Sequence, residues 1–172
     1  FGAGAVCSCR PEDRDPDPAA DHTQAPPHHP GQEPVRSLER NPPVGPEIVR
    51  LGHEVFGHGY RWEEYFKMGR EAERQAIHKA VESIERTTGV RPLGWYTRYG
   101  PSVNTRELVV EEGGFLYDCN SYSDDLPYYT QVNGRKWLVV PYSLEVNDTK
   151  FWRGGMANPN DFYDTARNTL DL

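Results

Sequence analysis

Apolar residues are unevenly placed along this chain. From residue 37 onward they recur in short clusters with helical or strand spacing, while residues 1–36 hold almost none of the bulky ones. PEIVRLG predicts a short helix, with Pro46 suited to a first turn and Gly52 to a stop. HEVF, residues 53–56, reads as a short buried strand. A longer helix is predicted over about 71–87, because Ile77, Val81 and Ile84 fall on one face with charges opposite. Gly89 ends it, and Pro92 leads into a second strand, LGWYT. Pro101 and Ser102 open a helix over about 104–112, whose apolar side is Leu108 and the neighbouring valines; the Gly113-Gly114 pair breaks it. GFLYD reads as a third strand and KWLVVPY, around Trp137 to Tyr142, as a fourth. A last helix starts after Asn158 or Asn160, with Phe162, Ala166 and Leu170 at four-residue steps.

Alternating helices and strands predict an α/β fold, a parallel sheet or barrel. Chemistry in such folds gathers where strands end, at their carboxyl termini. The residues that fall there are His58 and Trp62 after the first strand, and Arg98 and Asn104 after the second. Asp118, Asn120 and Asp124 follow the third, and Tyr142 and Asn147 the fourth.

Composition divides the chain. Ten of its 15 prolines lie in the first 46 residues, in runs such as PEDRDPDPAADH and QAPPHHPGQEP. Such a segment buries too little apolar surface to offset the entropy of ordering it. Residues 1–36 are therefore expected to be disordered or foreign to the fold, and residues 37–172 to form the domain. All four tryptophans and all ten tyrosines lie in the latter. The net charge of −7 gives no reason to expect nucleic acid. No apolar run approaches a membrane span. The start, FGAGAVCSCRPEDRD, lacks Met and a charged leader and reads as mid-gene or out of frame. Cys7 and Cys9 precede His22, His28 and His29 without zinc-finger spacing and read as unstructured thiols. Cys119 reads as a small packed residue. Nothing suggests a disulfide framework, so a reducing, cytoplasmic setting is expected.

The stretch GHEVFGHGYRW invites comparison with the H-E-x-x-H zinc helix. His58 comes one residue too late for that pattern, and the run is glycine-rich. His53 fits a structural role at the start of a strand. For His58, in a glycine turn, a structural and a site role are both open.

GHEVFGHGYRW, TGVRPLGWYTRYGPSVNTRELVVEEGGFLYD, SYSDDLPYY and VPYSLEVNDTKF together resemble the polysaccharide deacetylase superfamily (the NodB-homology domain). Within it they look most like the metal-independent allantoinase group of urate catabolism. The resemblance runs from about Ser37 to Leu172 and implies a distorted (β/α) barrel. Such barrels usually exceed about 200 residues, so a partial barrel is expected, truncated at both ends. Deacetylases of this kind hold a divalent metal with an early aspartate and the two histidines of an H-x-x-x-H turn. The first histidine matches His58; Trp62 stands at the second position, and the aspartate motif is not seen. An indole has an N–H and no lone pair for a metal, and one imidazole does not make a zinc site.

The resemblance thus implies hydrolysis of a non-peptide carbon–nitrogen bond, ring opening of allantoin, with no cofactor and a small ureide as partner. His58 would act as base or orienter. Arg91, matched to the family's R-P motif, would support the catalytic groups, or else form a structural ion pair. Trp62, Trp95 and Tyr96 would wall the pocket, or else pack a core. Asn104 and Arg106 would bind substrate carbonyls, or else cap a helix and line a solvated face. Asp118, Asp124 and Asp125 form an acidic cluster in which one carboxylate could hold a substrate N–H, with turn chemistry as the plainer reading. Asn147, beside Asp148, is a further pocket candidate, while Glu111 and Glu112 read as solvated. The alternatives are a zinc-dependent N-deacetylase of peptidoglycan or a chitin-like sugar, and an inactive fragment. The sequence leaves the oligomeric state, including a homo-oligomer, open.

Overall fold

The computed structural model describes residues 36–143, 147 and 154–170. Residues 1–35 carry nearly all of the segment expected to be disordered, with Cys7, Cys9, His22, His28 and His29. They lie outside the described residues, as does Asp148. The described residues begin with α1 (Arg36–Arg40) and α2 (Val44–Arg50), then a 3-10 turn at Tyr65–Lys67 and the long α3 (Arg70–Thr88). Strand β1 (Gly94–Trp95) leads to α4 (Thr105–Glu112), then β2 (Tyr117–Asp118), β3 (Tyr128–Val132), β4 (Arg135–Val139) and α5 (Pro159–Leu170).

Helix α3 forms where the apolar stripe predicted it. Ile77, Ala80, Val81 and Ile84 are buried, and Glu71 and Glu73 occupy the first turn, where the helix dipole favours negative charge. Gly89 closes the helix at φ 78°, a conformation a side chain would resist, and returns its N–H to the Glu85 carbonyl at 2.9 Å. Helix α4 buries Leu108, Val109 and Val110 against the same core and stops at Gly113. Its start is pinned to α3 by Glu73, a fully buried carboxylate that accepts hydrogen bonds from Ser102 (2.6 Å) and Thr105. That clamp fixes the loop between β1 and α4.

The sheet runs in the order β1-β2-β4-β3. Strand β1 pairs parallel with β2, and β2 parallel with β4; Trp95 faces Asp118, which faces Val139. The predicted HEVF strand is reduced to isolated bridging. Gly57 makes a single parallel bridge to Trp95, donating to Gly94 O at 2.9 Å and accepting from Tyr96 N–H at 2.8 Å. It is a glycine because the Trp95 ring lies where a Cβ would have to be. Trp95 itself is fully buried, edge-on to Tyr65 and Phe115.

Two expectations are corrected. The sheet is not wholly parallel: β3, absent from the sequence reading, forms an antiparallel hairpin with β4. The turn is Asn133-Gly134, with φ values of 50° and 75°, the conformation that favours this residue pair in two-residue hairpins. The predicted KWLVVPY strand also begins earlier and ends at Val139, since Pro141 has no N–H to continue the ladder. Helix α1 likewise lies where no element was expected. Among the described residues no helix is long and apolar enough to cross a membrane.

Candidate active site

The carboxyl ends of the parallel strands bring His58, Tyr96 and the chain after β2 together. Immediately past the Gly57 bridge, His58 Nδ1 lies 2.8 Å from the Tyr96 carbonyl oxygen. A carbonyl only accepts, so Nδ1 carries the hydrogen and the imidazole lone pair is on Nε2. Burial holds this ring below its ordinary basicity, opposed by the Tyr96 carbonyl and reinforced by the positive charge of Arg98. At neutral pH His58 is therefore an uncharged base with its tautomer fixed by the backbone.

An aromatic row continues from it. The His58 ring stacks on Tyr96 with centroids 5.0 Å apart, and Tyr96 stacks on Tyr142 at 4.5 Å. Tyr122 meets Tyr142 edge-on, and its hydroxyl lies 2.6 Å from that of Tyr96. Burial first, and then this hydrogen bond, raise the Tyr96 phenol above its ordinary range, so it stays protonated. Asn147 donates to the Tyr142 hydroxyl at 2.7 Å and closes the row. Beside it, the Arg98 guanidinium lies in the corner between Trp62 and Tyr99, its carbon 3.5 Å and 3.9 Å from the two ring centroids.

Beneath these groups sits a polar lattice. Asp118 is fully buried and receives Arg106 Nε at 2.8 Å, Arg106 Nη2 at 3.2 Å, the Trp137 indole N–H at 2.6 Å and the Asn120 N–H at 2.9 Å. Asn120 Oδ1 accepts from Thr97 N–H at 2.8 Å, tying the ends of β1 and β2 together.

The predicted site residues therefore separate. His58, Tyr96 and Asn147 share the aromatic row, and Trp62 stands beside it with Arg98. Arg91 does not join them. It lies before β1, at the opposite end of the sheet, where its guanidinium binds Glu85 (3.0 Å), Glu112 (3.2 Å) and the Gly113 carbonyl (2.8 Å). This is the structural ion pair, and Glu112, read as solvated, is part of it. Trp95 is core, its indole N–H satisfied by Thr97 at 2.9 Å. Asn104 occupies the N-cap position of α4 and accepts from Arg70 at 3.3 Å. Arg106 is committed to Asp118. Asp124 is exposed and caps its own turn, accepting from the N–H groups of Asp125 and Leu126. Tyr99 and Tyr122 were not singled out from sequence; the available signal was an aromatic in each loop following a parallel strand. His53 is half-buried ahead of the bridging segment.

Among the described residues, no three His, Cys, Asp or Glu side chains gather in a way that could hold a metal ion. The donor set after the first bridge does not fit the divalent metal of the deacetylases either, because His58 is followed four residues later by an indole.

Fold and site define an α/β protein with a histidine and an aromatic row at the carboxyl ends of parallel strands. Residues 34–117 match the polysaccharide deacetylase family model, and the chain is similar to proteins of that family over most of its length. A Schizosaccharomyces pombe protein assigned to the polysaccharide deacetylases is 34 % identical over 154 residues, which are 80 % of this chain and 48 % of the relative. A Helicobacter pylori peptidoglycan deacetylase is 39 % identical over 103 residues, 59 % of this chain and 34 % of its own. The crystal structure of PuuE allantoinase is similar with a TM-score of 0.72 and 41 % identity, covering 80 % of this chain and 46 % of that one. The chain spans about half the length of the first curated relative and solved structure it matches.

Proposed function

We propose that this chain serves metal-independent hydrolysis of a carbon–nitrogen bond in a cyclic ureide, the ring opening of allantoin, with residues 37–172 as its part of the domain. The observation that carries the reading is the pairing of His58 with Trp62: a neutral imidazole fixed through Nδ1 to the Tyr96 carbonyl, and an indole where a second metal-binding imidazole would be. The likeness to PuuE allantoinase supports it. In this mechanism His58 Nε2 takes a proton from water as the oxygen attacks the amide carbonyl carbon. The carbonyl electron pair moves onto oxygen. The carbon–nitrogen bond then breaks, and the departing nitrogen receives the proton from His58. The stacked row of Tyr96 and Tyr142 backs the base, and the Asn147 amide lies at its edge.

The second reading, a metal-dependent N-deacetylase acting on an acetylated sugar, is favoured by the names of the curated relatives. Both readings are tested on the purified protein, by allantoin loss and by acetate release from N-acetylglucosamine oligomers, each with and without chelator. Allantoin loss indifferent to chelator, and abolished in His58→Gln, is the expected result. Chelator-sensitive acetate release with allantoin untouched would sink the first reading in favour of the second.

A further inference from the structure

The site as described holds a base but no group assigned to the negative charge that develops on the substrate oxygen. Arg98 has the features of such a group. Its guanidinium is fixed by ring contacts with Trp62 and Tyr99. These two rings meet edge-on, 6.5 Å apart, and leave a corner for one flat cation. Trp62 is 43 % and Tyr99 61 % exposed, so neither ring is there to fill a core. The Arg98 Nε is buried and has no hydrogen-bond partner among the described residues. A buried donor left unspent is costly, and it is retained where a ligand oxygen can meet it. Arg98 follows Tyr96, on which the His58 ring stacks, by two residues, and its partner Trp62 follows His58 by four, so guanidinium and imidazole are carried by the same two loops. The backbone supplies an independent observation: Tyr99 sits at φ 63°, a left-handed conformation that bulky residues rarely adopt. Strain of that kind clusters at functional sites, and here it turns the tyrosine ring onto the guanidinium.

We propose that Arg98, fixed between Trp62 and Tyr99, is a catalytic residue that donates to the carbonyl oxygen of the bond being hydrolysed and stabilises the oxyanion. The inference rests on the hydrolytic reading above. It gives the indole at position 62 a task of its own: it holds a guanidinium where the deacetylases hold a metal-binding imidazole. As water adds to the carbonyl carbon and its proton passes to His58, the electron pair displaced onto oxygen meets a charge already in place. Nothing need be reorganised at that moment. An ammonium group would not substitute, since it is a compact point charge that does not lie flat on an indole.

The test compares Arg98→Ala, Arg98→Lys and Trp62→Leu with the wild type in allantoin hydrolysis. Arg98→Ala is expected to lower kcat by roughly 10²-fold or more with a smaller change in KM, the size seen when one oxyanion donor is removed. Millimolar guanidinium should restore part of that loss, which also shows that the variant is folded. Arg98→Lys should recover little, and Trp62→Leu should fall in kcat while keeping the arginine. An Arg98→Ala protein with wild-type kcat overturns the proposal, as does a loss that guanidinium does not relieve while Trp62→Leu remains fully active. If the wild type cleaves neither allantoin nor acetylated sugar, the functional reading fails on its own. Arg98 is then judged by calorimetric binding of acetate, whose carboxylate carries the same oxygen charge. About tenfold weaker binding in Arg98→Ala sustains the role of Arg98, and equal binding removes it.

Discussion

Asp118 and Arg106, twelve residues apart in the sequence, together set the shape of the site. Burying a carboxyl group is costly unless its oxygens are matched, and those of Asp118 are met by two nitrogens of one guanidinium, an indole N–H and a backbone N–H. The hydrogen bond to Asp118 holds Arg106 above its ordinary basicity, opposed by partial burial. Removing the arginine leaves the carboxylate buried and unmatched. Arg106→Leu is therefore expected to cost about 3–5 kcal/mol, read from the shift in urea midpoint at constant slope. A loss below about 1 kcal/mol would mean the carboxylate is solvated after all. The residue type alone suggested a substrate contact, because an arginine in a loop-to-helix stretch looks available. Its partner is twelve residues away, and only folding brings the two together.

Elements made of two paired residues, such as β1 and β2, are held by what packs on them rather than by their own ladders. The segment before His58 shows this most clearly. Gly57 joins the sheet through one bridge, and its missing side chain is what lets Trp95 lie against it. Gly57→Ala would push a methyl into that ring. Overpacking of this kind is expected to cost about 1–3 kcal/mol and to move His58 off the Tyr96 carbonyl. Thermal denaturation measures the first effect. The imidazole proton resonance of His58 measures the second, and an unchanged resonance would show that the bridge tolerates a side chain. At this scale the helices were legible, because a stripe such as Ile77, Val81 and Ile84 repeats with the helical period and Gly89 supplies the stop. The strands were less so. Two-residue parallel strands are too short to show a period, and β3 was missed although its Asn133-Gly134 turn was a usable signal.

The molecule as a whole should respond to acid through His58. Burial holds the ring below its ordinary value of 6.5, so on acidification the unfolded chain takes up the proton before the folded one does. The stability that comes from keeping the ring neutral is complete above about 6.5 and is lost as pH falls toward the lower, folded value. His78 runs the other way: its bond to Glu112 raises it, so its contribution is present in acid and lost as pH rises. Comparison with a variant isolates the first effect. Between pH 7 and 5 the wild type should lose more stability than His58→Gln in urea unfolding, and equal slopes would show that the ring is not buried neutral.

Read alone, the sequence settled what depends on neighbours along the chain. Helix stripes, glycine stops, the alternation that makes an α/β fold and the indole at position 62 are all local, and each is written in adjacent residues. Folding decided what depends on which end of a strand a residue occupies and on what it meets there. It sent Arg91 to the far end of the sheet and Trp95 into the core. It also set Arg98 against two rings and fixed the hydrogen on His58 Nδ1. Those outcomes follow from long-range packing and from hydrogen-bond partners 38 residues apart, as with His58 and Tyr96, and no local pattern encodes them.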